Sequence, residues 1–293
     1  MSVLKNPQGE VRNGWKAGGF VLVFAVLVVF VNVTTKFLLH IQHVDMLVNV
    51  AMATAIGLGA GWICLAIEKK PLSAMGYRLN GRWAGELGLG VLGGAAIMLI
   101  TALVAMAAGG FHWVHGGASL KAVGAGALLF IIVGFNEETL FRGYLFQRLV
   151  DGMGQWPAQI LMALFFGLAH WGNPGMTGAT KVWATVNIGL AAILLGLCYL
   201  KTKSLALPIG VHIGWNFTQG NVLGFGVSGT TGAKGLLQPV FHGKADWITG
   251  GAFGLEASLP CVIVCGAAIV ALLLWKGRPI ADPSIDGASE MSL

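Results

Sequence analysis

The amino-acid sequence predicts an all-α membrane protein of about eight transmembrane helices, with both termini on the cytoplasmic side. Three observations support this prediction. Of the 293 residues, 56% are hydrophobic and only 10% are charged, whereas a soluble domain carries about 25% charged residues. The hydrophobic residues form long runs, as membrane spans do. The basic residues concentrate at the ends of these runs, where they report which ends face the cytoplasm.

Eight apolar runs account for the predicted spans. They lie near residues 17–39, 46–67, 84–108, 122–150, 156–171, 182–200, 205–222 and 258–275. The fourth run is long and contains charged residues, and the fifth and seventh are short. No internal repeat is evident, so residues 1–293 are expected to form a single polytopic domain. The longest loop is the Gly-rich stretch 223–257, and the polar tail covers residues 279–293.

The distribution of Lys and Arg sets the expected orientation. With the N-terminus in the cytoplasm, the cytoplasmic segments hold twelve basic residues, namely Lys5, Arg12, Lys16, Lys69, Lys70, Arg78, Arg82, Arg148, Lys201, Lys203, Lys276 and Arg278. The outer segments hold only five, namely Lys36, Lys121, Lys181, Lys234 and Lys244. Arg142 lies within a span. The reverse orientation would invert this ratio, so a multi-pass protein of a bacterial inner membrane with N-in and C-in topology is predicted.

Topology also explains the net charge of +6. The sequence has no basic stripe and no nucleic-acid-binding module, so nucleic acid is not an expected partner. Membrane lipid is expected around the spans. Small residues within the spans are expected to pack helices together. These are the four cysteines Cys64, Cys198, Cys261 and Cys265 and the glycine pairs Gly57/Gly61 and Gly90/Gly94.

Charged residues inside the fourth run are the first indication of chemistry. A charge within a span costs about 2.5–3.5 kcal/mol on insertion scales, so it usually marks a functional site. Glu138 and Arg142 are four residues apart and share a helix face, where they can form an ion pair. Glu137 points about 100° away from that face and has no partner on its own helix. An unpaired carboxylate in an apolar environment is a plausible general base near neutral pH.

Two further spans carry polar residues at the same helical spacing. Phe166 and His170 are four residues apart in the fifth run, and His212 and Asn216 are four apart in the seventh. At the helical rise, Glu137 and His170 are expected roughly 20 Å from the cytoplasmic ends of their runs. The corresponding depths of His212 and Asn216 are roughly 10 and 16 Å. The four polar groups are therefore expected to converge on one cavity, which we expect to open towards the cytoplasm.

These three motifs, in this order, resemble those of the CPBP family. That family contains CAAX prenyl proteases and bacteriocin-processing or self-immunity proteins of the ABI type. The string from Glu137 to Leu145, Glu-Glu-Thr-Leu-Phe-Arg-Gly-Tyr-Leu, is similar to the family's first motif. The resemblance covers roughly residues 120–222, which we expect to form the protease core. The segments 212–220 and 247–258 also resemble a bacterial branch of the family.

The resemblance implies an intramembrane endopeptidase that hydrolyses peptide or protein substrates. It assigns Glu137, helped by His170, to activation of the attacking water. His212 and Asn216 would stabilise the oxyanion, while Glu138 and Arg142 would shape the site, with Phe166 on the same helix face as His170. This assignment agrees with general chemistry, because peptide hydrolysis needs a base for water and donors for the oxyanion.

Several alternatives remain at the level of sequence. The family has been described as metalloprotease-like, and Glu137, His170 and His212 are the set that could hold zinc. No His-Glu-x-x-His helix is present, so a metal-free site is the first expectation. A non-proteolytic member that acts by binding, for instance in self-immunity, has the same motifs. A proton-coupled transporter is disfavoured, because no inverted repeats or matching broken helices are found.

Overall fold

The computed structural model describes residues 3–41, 43–230 and 234–278. The predicted polar tail at 279–293 lies outside these residues. The described chain is helical almost throughout. Its α-helices are α1 (Asn13–Val33), α2 (Met46–Ile67), α3 (Gly81–Ala107), α4 (Leu120–Arg142), α5 (Tyr144–Met153), α6 (Gln155–His170), α7 (Gly178–Thr202), α8 (Ala206–Phe217), α9 (Asp246–Thr249) and α10 (Leu259–Leu274).

Each of the eight apolar runs falls on a helix, and the predicted all-α membrane fold is confirmed. In the described chain, five helical segments are long and apolar enough to cross a membrane. They are Asn13–Phe37, Met46–Ile67, Gly81–Ala107, Leu120–Met153 and Gly178–Thr202. Helix α10 is apolar but shorter, and α6 and α8 are also shorter than the roughly 20 residues of an average span. The count of eight spans stays a prediction.

The fourth run is not one straight helix. Helix α4 ends at Arg142, and the chain turns at Gly143 before α5 begins at Tyr144. A Cβ atom at Gly143 would lie 2.1 Å from the Thr139 carbonyl oxygen, so the turn requires glycine. Glu137 is therefore five residues from the end of its helix. The expected depth of roughly 20 Å assumed a straight helix continuing to residue 150, and it stays a prediction.

The Gly-rich stretch 223–257 contains more structure than the predicted loop. Strand β2 (Leu237–Phe241) pairs antiparallel with β1 (Phe111–His115), which follows α3. Short 3₁₀ turns at Gly251–Phe253 and Leu255–Ala257 follow α9. Phe111, at the end of the ribbon where it pairs with Phe241, is buried and contacts three aromatic rings edge-on, those of Trp113, Phe225 and Phe241. The ribbon therefore forms a folded cover at one end of the helices.

Helices α3 and α8 pack closely because glycine faces glycine. A Cβ atom on Gly94 would lie 2.0 Å from the Val211 carbonyl oxygen, and one on Gly214 would lie 2.0 Å from the Val91 carbonyl oxygen. Gly90 of the predicted pair is equally close to α8. Close approach at such small-residue interfaces is a common way to join helices in membranes. This contact fixes α8, the helix that carries His212 and Asn216.

Candidate active site

Glu138 lies at the centre of the polar residues between the helices. Its side chain is fully buried, and its Oε1 atom accepts hydrogen bonds from Arg142 Nη1 at 3.0 Å and from His212 Nδ1 at 2.8 Å. Arg142 also donates from Nη2 to the Ala192 carbonyl oxygen at 3.0 Å. Helices α4, α7 and α8 are therefore joined through one carboxylate and one guanidinium. The predicted pairing of Glu138 with Arg142 is present, and His212 is an additional partner.

Glu137 is next in sequence but has a different environment. Its side chain is 23% exposed, whereas that of Glu138 is 0% exposed. Its Oε2 atom lies 3.7 Å from His212 Nε2 and has no hydrogen-bond partner in the described chain. An oxygen atom beside this gap could lie within normal hydrogen-bond distance of both groups. The carboxylate is thus available to a small molecule such as water.

His170 is the last residue of α6, and its ring is held by Phe166. The His170 Nδ1 atom lies 2.7 Å from the Phe166 carbonyl oxygen, and the two ring centroids are 4.7 Å apart. Because a carbonyl oxygen only accepts, Nδ1 carries the proton and Nε2 has the free lone pair. The Arg142 guanidinium lies 5.0 Å from the Phe166 ring centroid, a cation–π distance. Phe166 thus connects His170 to the buried ion pair.

Asn216 follows His212 by one helical turn on α8. Its side chain is buried, and its amide makes no hydrogen bond to the described part of the chain. An unengaged amide in a cavity can donate to an oxygen atom of a bound molecule.

All four predicted catalytic residues line one cavity. Its volume is about 280 Å³, and its lining includes Glu137, Phe166, His170, His212 and Asn216. No hydrogen bond or ion pair joins Glu137 to His170 within the described chain, so any cooperation between them runs through a molecule in the cavity. The structure therefore brings the three motifs together, as their order and spacing predicted.

The same cavity contains a carboxylate that the sequence analysis missed. Glu256 is buried in the 3₁₀ turn before α10, and its Oε1 atom accepts a hydrogen bond from the Ser228 backbone N–H. Burial raises the pKa of Glu256, although the Ser228 N–H and the charge of His170 oppose this shift. An isolated acidic residue in a Gly-rich stretch does not by itself indicate a functional site. Residues 247–258, which include Glu256, stood out in the sequence only because they resemble a bacterial branch of the family.

Asn136 and Asn187 also line the cavity. Asn187 donates from Nδ2 to Cys261 Sγ at 3.3 Å and so joins α7 to α10. The Oδ1 atom of each is buried and has no hydrogen-bond partner in the described chain. Buried acceptors without partners are uncommon in proteins and indicate a bound group or a functional role. Peptide N–H groups of a substrate are donors of the required kind.

The arrangement does not fit the three-ligand zinc site that Glu137, His170 and His212 were expected to form if zinc is present. Across the described residues, no three side chains of His, Cys, Asp or Glu lie close enough together to hold one metal ion. His212 and Glu137 face each other, but His170 does not complete a set with them. The hydrolytic steps that we propose therefore use no metal.

A carboxylate, two imidazoles and an amide around a cavity in a helical membrane protein define a candidate hydrolase site. Residues 119–218 match the family model described as Rce1-like, type II CAAX prenyl endopeptidase. The match includes all seven predicted site residues but not Glu256, and it confirms the resemblance to the CPBP and CAAX protease family. It supports an endopeptidase of the CAAX-protease type, with a peptide substrate in a membrane context. No curated protein matches the chain.

Proposed function

We propose that this protein is an intramembrane endopeptidase that hydrolyses peptide bonds with a water molecule activated by Glu137. The proposal rests on one observation: Glu137 Oε2, which has no hydrogen-bond partner in the described chain, lies 3.7 Å from His212 Nε2 at the wall of the cavity. Hydrolysis of a peptide bond requires a general base for water and a donor to the oxyanion. Glu137 and His212 are suited to these two roles.

In the first step, Glu137 takes a proton from water while the water oxygen bonds to the carbonyl carbon of the scissile bond. The π electron pair moves onto the carbonyl oxygen and forms an oxyanion. His212 is suited to donate to it from Nε2 when both ring nitrogens carry protons, because Nδ1 already donates to Glu138. Asn216 supplies a second donor from one turn further along α8.

The charges around His212 favour this state. Two carboxylates, Glu137 and Glu138, face one guanidinium, Arg142, and one imidazolium, so the four charges sum to zero. Oriented donors in a site shielded from water stabilise a developing oxyanion strongly, and each typically contributes about 10²–10³ in rate. Glu138 therefore holds His212 as well as Arg142.

In the second step, the carbon–nitrogen bond breaks and its electron pair passes to the nitrogen. The nitrogen takes the proton from Glu137, which returns to its carboxylate form, and the products are a free acid and an amine. His170 offers the lone pair of Nε2 for relay of this proton. Glu256 is proposed as a positioning residue, because its buried carboxyl group lines the same cavity as His170.

Turnover of a quenched-fluorescence peptide library by the purified protein tests the proposal. We expect Glu137→Gln to lower turnover by about 10²–10⁴, the usual contribution of a general base. Glu10→Gln is the matched control, because it makes the same change at an exposed carboxylate and should leave turnover unchanged. Wild-type protein that binds peptides but cleaves none would instead identify a binding role, as in self-immunity.

A further inference from the structure

The cavity reaches the end of the helices at which the ribbon lies. The lining residues outside the helix interiors all lie at that end, namely Met46 at the start of α2, Asn173 after α6, and Val227, Ser228, Thr230 and Glu256 around the ribbon. Of these, Met46 is 52% exposed and Thr230 is also exposed. This end of the cavity is called the mouth below.

The opposite end is closed by tightly packed side chains. Leu205 and Ile209 at the start of α8 are fully buried. The Leu205 backbone N–H donates to the Gly76 carbonyl oxygen at 3.1 Å, and Tyr77 hydrogen bonds to Thr139. None of the described residues in the connections 68–80, 143–154 or 203–205 lines the cavity. The cavity lining therefore does not reach this end of the helices.

The basic residues indicate which side each end faces. The connections at the closed end belong to the segments that hold twelve Lys and Arg residues, and those at the mouth belong to segments that hold five. Such a bias places the closed end in the cytoplasm. With the predicted orientation, the mouth faces the non-cytoplasmic side, opposite to the predicted opening towards the cytoplasm.

The lining also restricts the chemistry of the occupant. Near the mouth, Phe130 and Val133 of α4 are half-buried apolar residues, and deeper inside Leu194, Leu195 and Val211 form an apolar wall. No Lys or Arg is present among the lining residues that the structure describes. Small-ligand pockets usually have volumes of about 300–1,000 Å³. At about 280 Å³, this cavity accommodates a short extended segment but not a folded domain.

We infer that the substrate is an apolar segment of an exported or membrane-anchored polypeptide that enters from the non-cytoplasmic side. The inference rests on the proposed function and adds the substrate class and the direction of entry. Unpaired acceptors on Asn136 and Asn187 are suited to receive N–H groups of the extended segment. A substrate confined to the cytoplasm would meet the closed end.

Sealed membrane vesicles of opposite orientation test the direction of entry. A membrane-impermeant fluorogenic peptide, chosen from those that the solubilised protein cleaves, is added outside right-side-out or inverted vesicles. We expect at least tenfold faster cleavage in right-side-out vesicles, loss of that cleavage with Glu137→Gln, and equal rates after detergent. Faster or equal cleavage in inverted vesicles would overturn the inference, as would no cleavage in either until detergent is added. If the solubilised protein cleaves no peptide at all, the proposed function itself is refuted.

Single-cysteine labelling tests the same claim without activity. The four native cysteines are all buried and unpaired, so the background from them is expected to be low. An impermeant maleimide should label Thr230→Cys at the mouth in right-side-out vesicles. Leu79→Cys, at a 76% exposed position beside the closed end, should be labelled only in inverted vesicles. The reverse pattern would place the mouth in the cytoplasm and overturn the inference while leaving the proposed function intact.

Discussion

Two acidic regions of this protein differ in how many partners their carboxylates have. Glu68, just after α2, accepts a hydrogen bond from Tyr144. Its Oε2 atom also lies 3.1 Å from Lys16 Nζ, 3.3 Å from Arg148 Nη1 and 3.6 Å from Lys70 Nζ. This group, called the Glu68 cluster, joins α1, α2 and α5 at one end of the helices. Its carboxylate has more cations than it can neutralise.

Glu137 has the opposite environment. Its Oε2 atom is buried and lacks a hydrogen-bond partner in the described chain. It lies at the wall of a cavity, 3.7 Å from His212 Nε2, and forms no ion pair with a Lys or Arg among the described residues. A buried polar atom without a hydrogen-bond partner lowers the stability of the fold. A requirement of function, and not of folding, therefore explains its presence. The comparison indicates that a carboxylate with many partners holds helices together, whereas one lacking partners beside a cavity is available for chemistry.

The largest expected difference between the two regions is in turnover. Replacing an oxyanion donor, by His212→Ala or Asn216→Ala, should lower turnover by about 10²–10³. Glu68→Gln should leave the turnover of the folded fraction unchanged. Cleavage rates normalised to folded protein, measured by size-exclusion chromatography, provide the check. If Glu68→Gln also lowers the normalised rate a hundredfold, the division between structural and chemical carboxylates fails.

The next effect concerns stability and separates Glu138 from Glu137. Removing one partner of a buried ion pair leaves a stranded charge and costs about 3–5 kcal/mol. Arg142→Met alone should therefore destabilise strongly, and adding Glu138→Gln should restore much of the lost free energy of unfolding. Adding Glu137→Gln should restore little. Reversible unfolding in detergent of the single and double variants isolates the pair energy.

Equal rescue by the two glutamate replacements would show that the wrong carboxylate has been assigned to Arg142. The base would then be Glu138. The structure adds a second readout, because Glu138 also accepts from His212 Nδ1. The stabilised double variant Arg142→Met with Glu138→Gln should thus remain slow in cleavage, since the partner of His212 has lost its negative charge.

A smaller effect is expected at Glu256. Glu256→Gln removes the negative charge near His170 but keeps the shape of the side chain and its acceptor oxygen for Ser228 N–H. We expect less than a tenfold loss of turnover. The pH–rate profile should also change, because a carboxyl group whose pKa is raised by burial is removed from the cavity wall. An unchanged pH profile would limit Glu256 to a structural role.

The smallest effect is the pH dependence of the Glu68 cluster. Burial alone would raise the pKa of Glu68, but hydrogen bonds from Tyr144 and Lys16 and the charge of Arg148 together hold it below its ordinary value. A lowered pKa in the folded state contributes stability at neutral pH, and this contribution is lost as pH falls through that pKa. The melting temperature should fall less steeply below about pH 4.5 in Glu68→Gln than in wild type.

Sequence patterns predicted the helices and the site residues because both depend on local spacing. Glu138 and Arg142, like His212 and Asn216, are one turn apart, so their shared faces follow from helix geometry. The break at Gly143 was missed because one glycine in an apolar run resembles the many that only pack. Arrangements of distant segments, such as Glu256 and His170 in one cavity wall or Gly214 against α3, have no local signature.

Metal content and chelator response of the purified, active protein test most directly whether Glu137 itself activates the water. The account predicts far less than one zinc ion per chain, with peptide cleavage unchanged after chelation and after added zinc. Stoichiometric zinc, with cleavage lost on chelation and restored by zinc, would contradict it. Water activation would then belong to a metal ion.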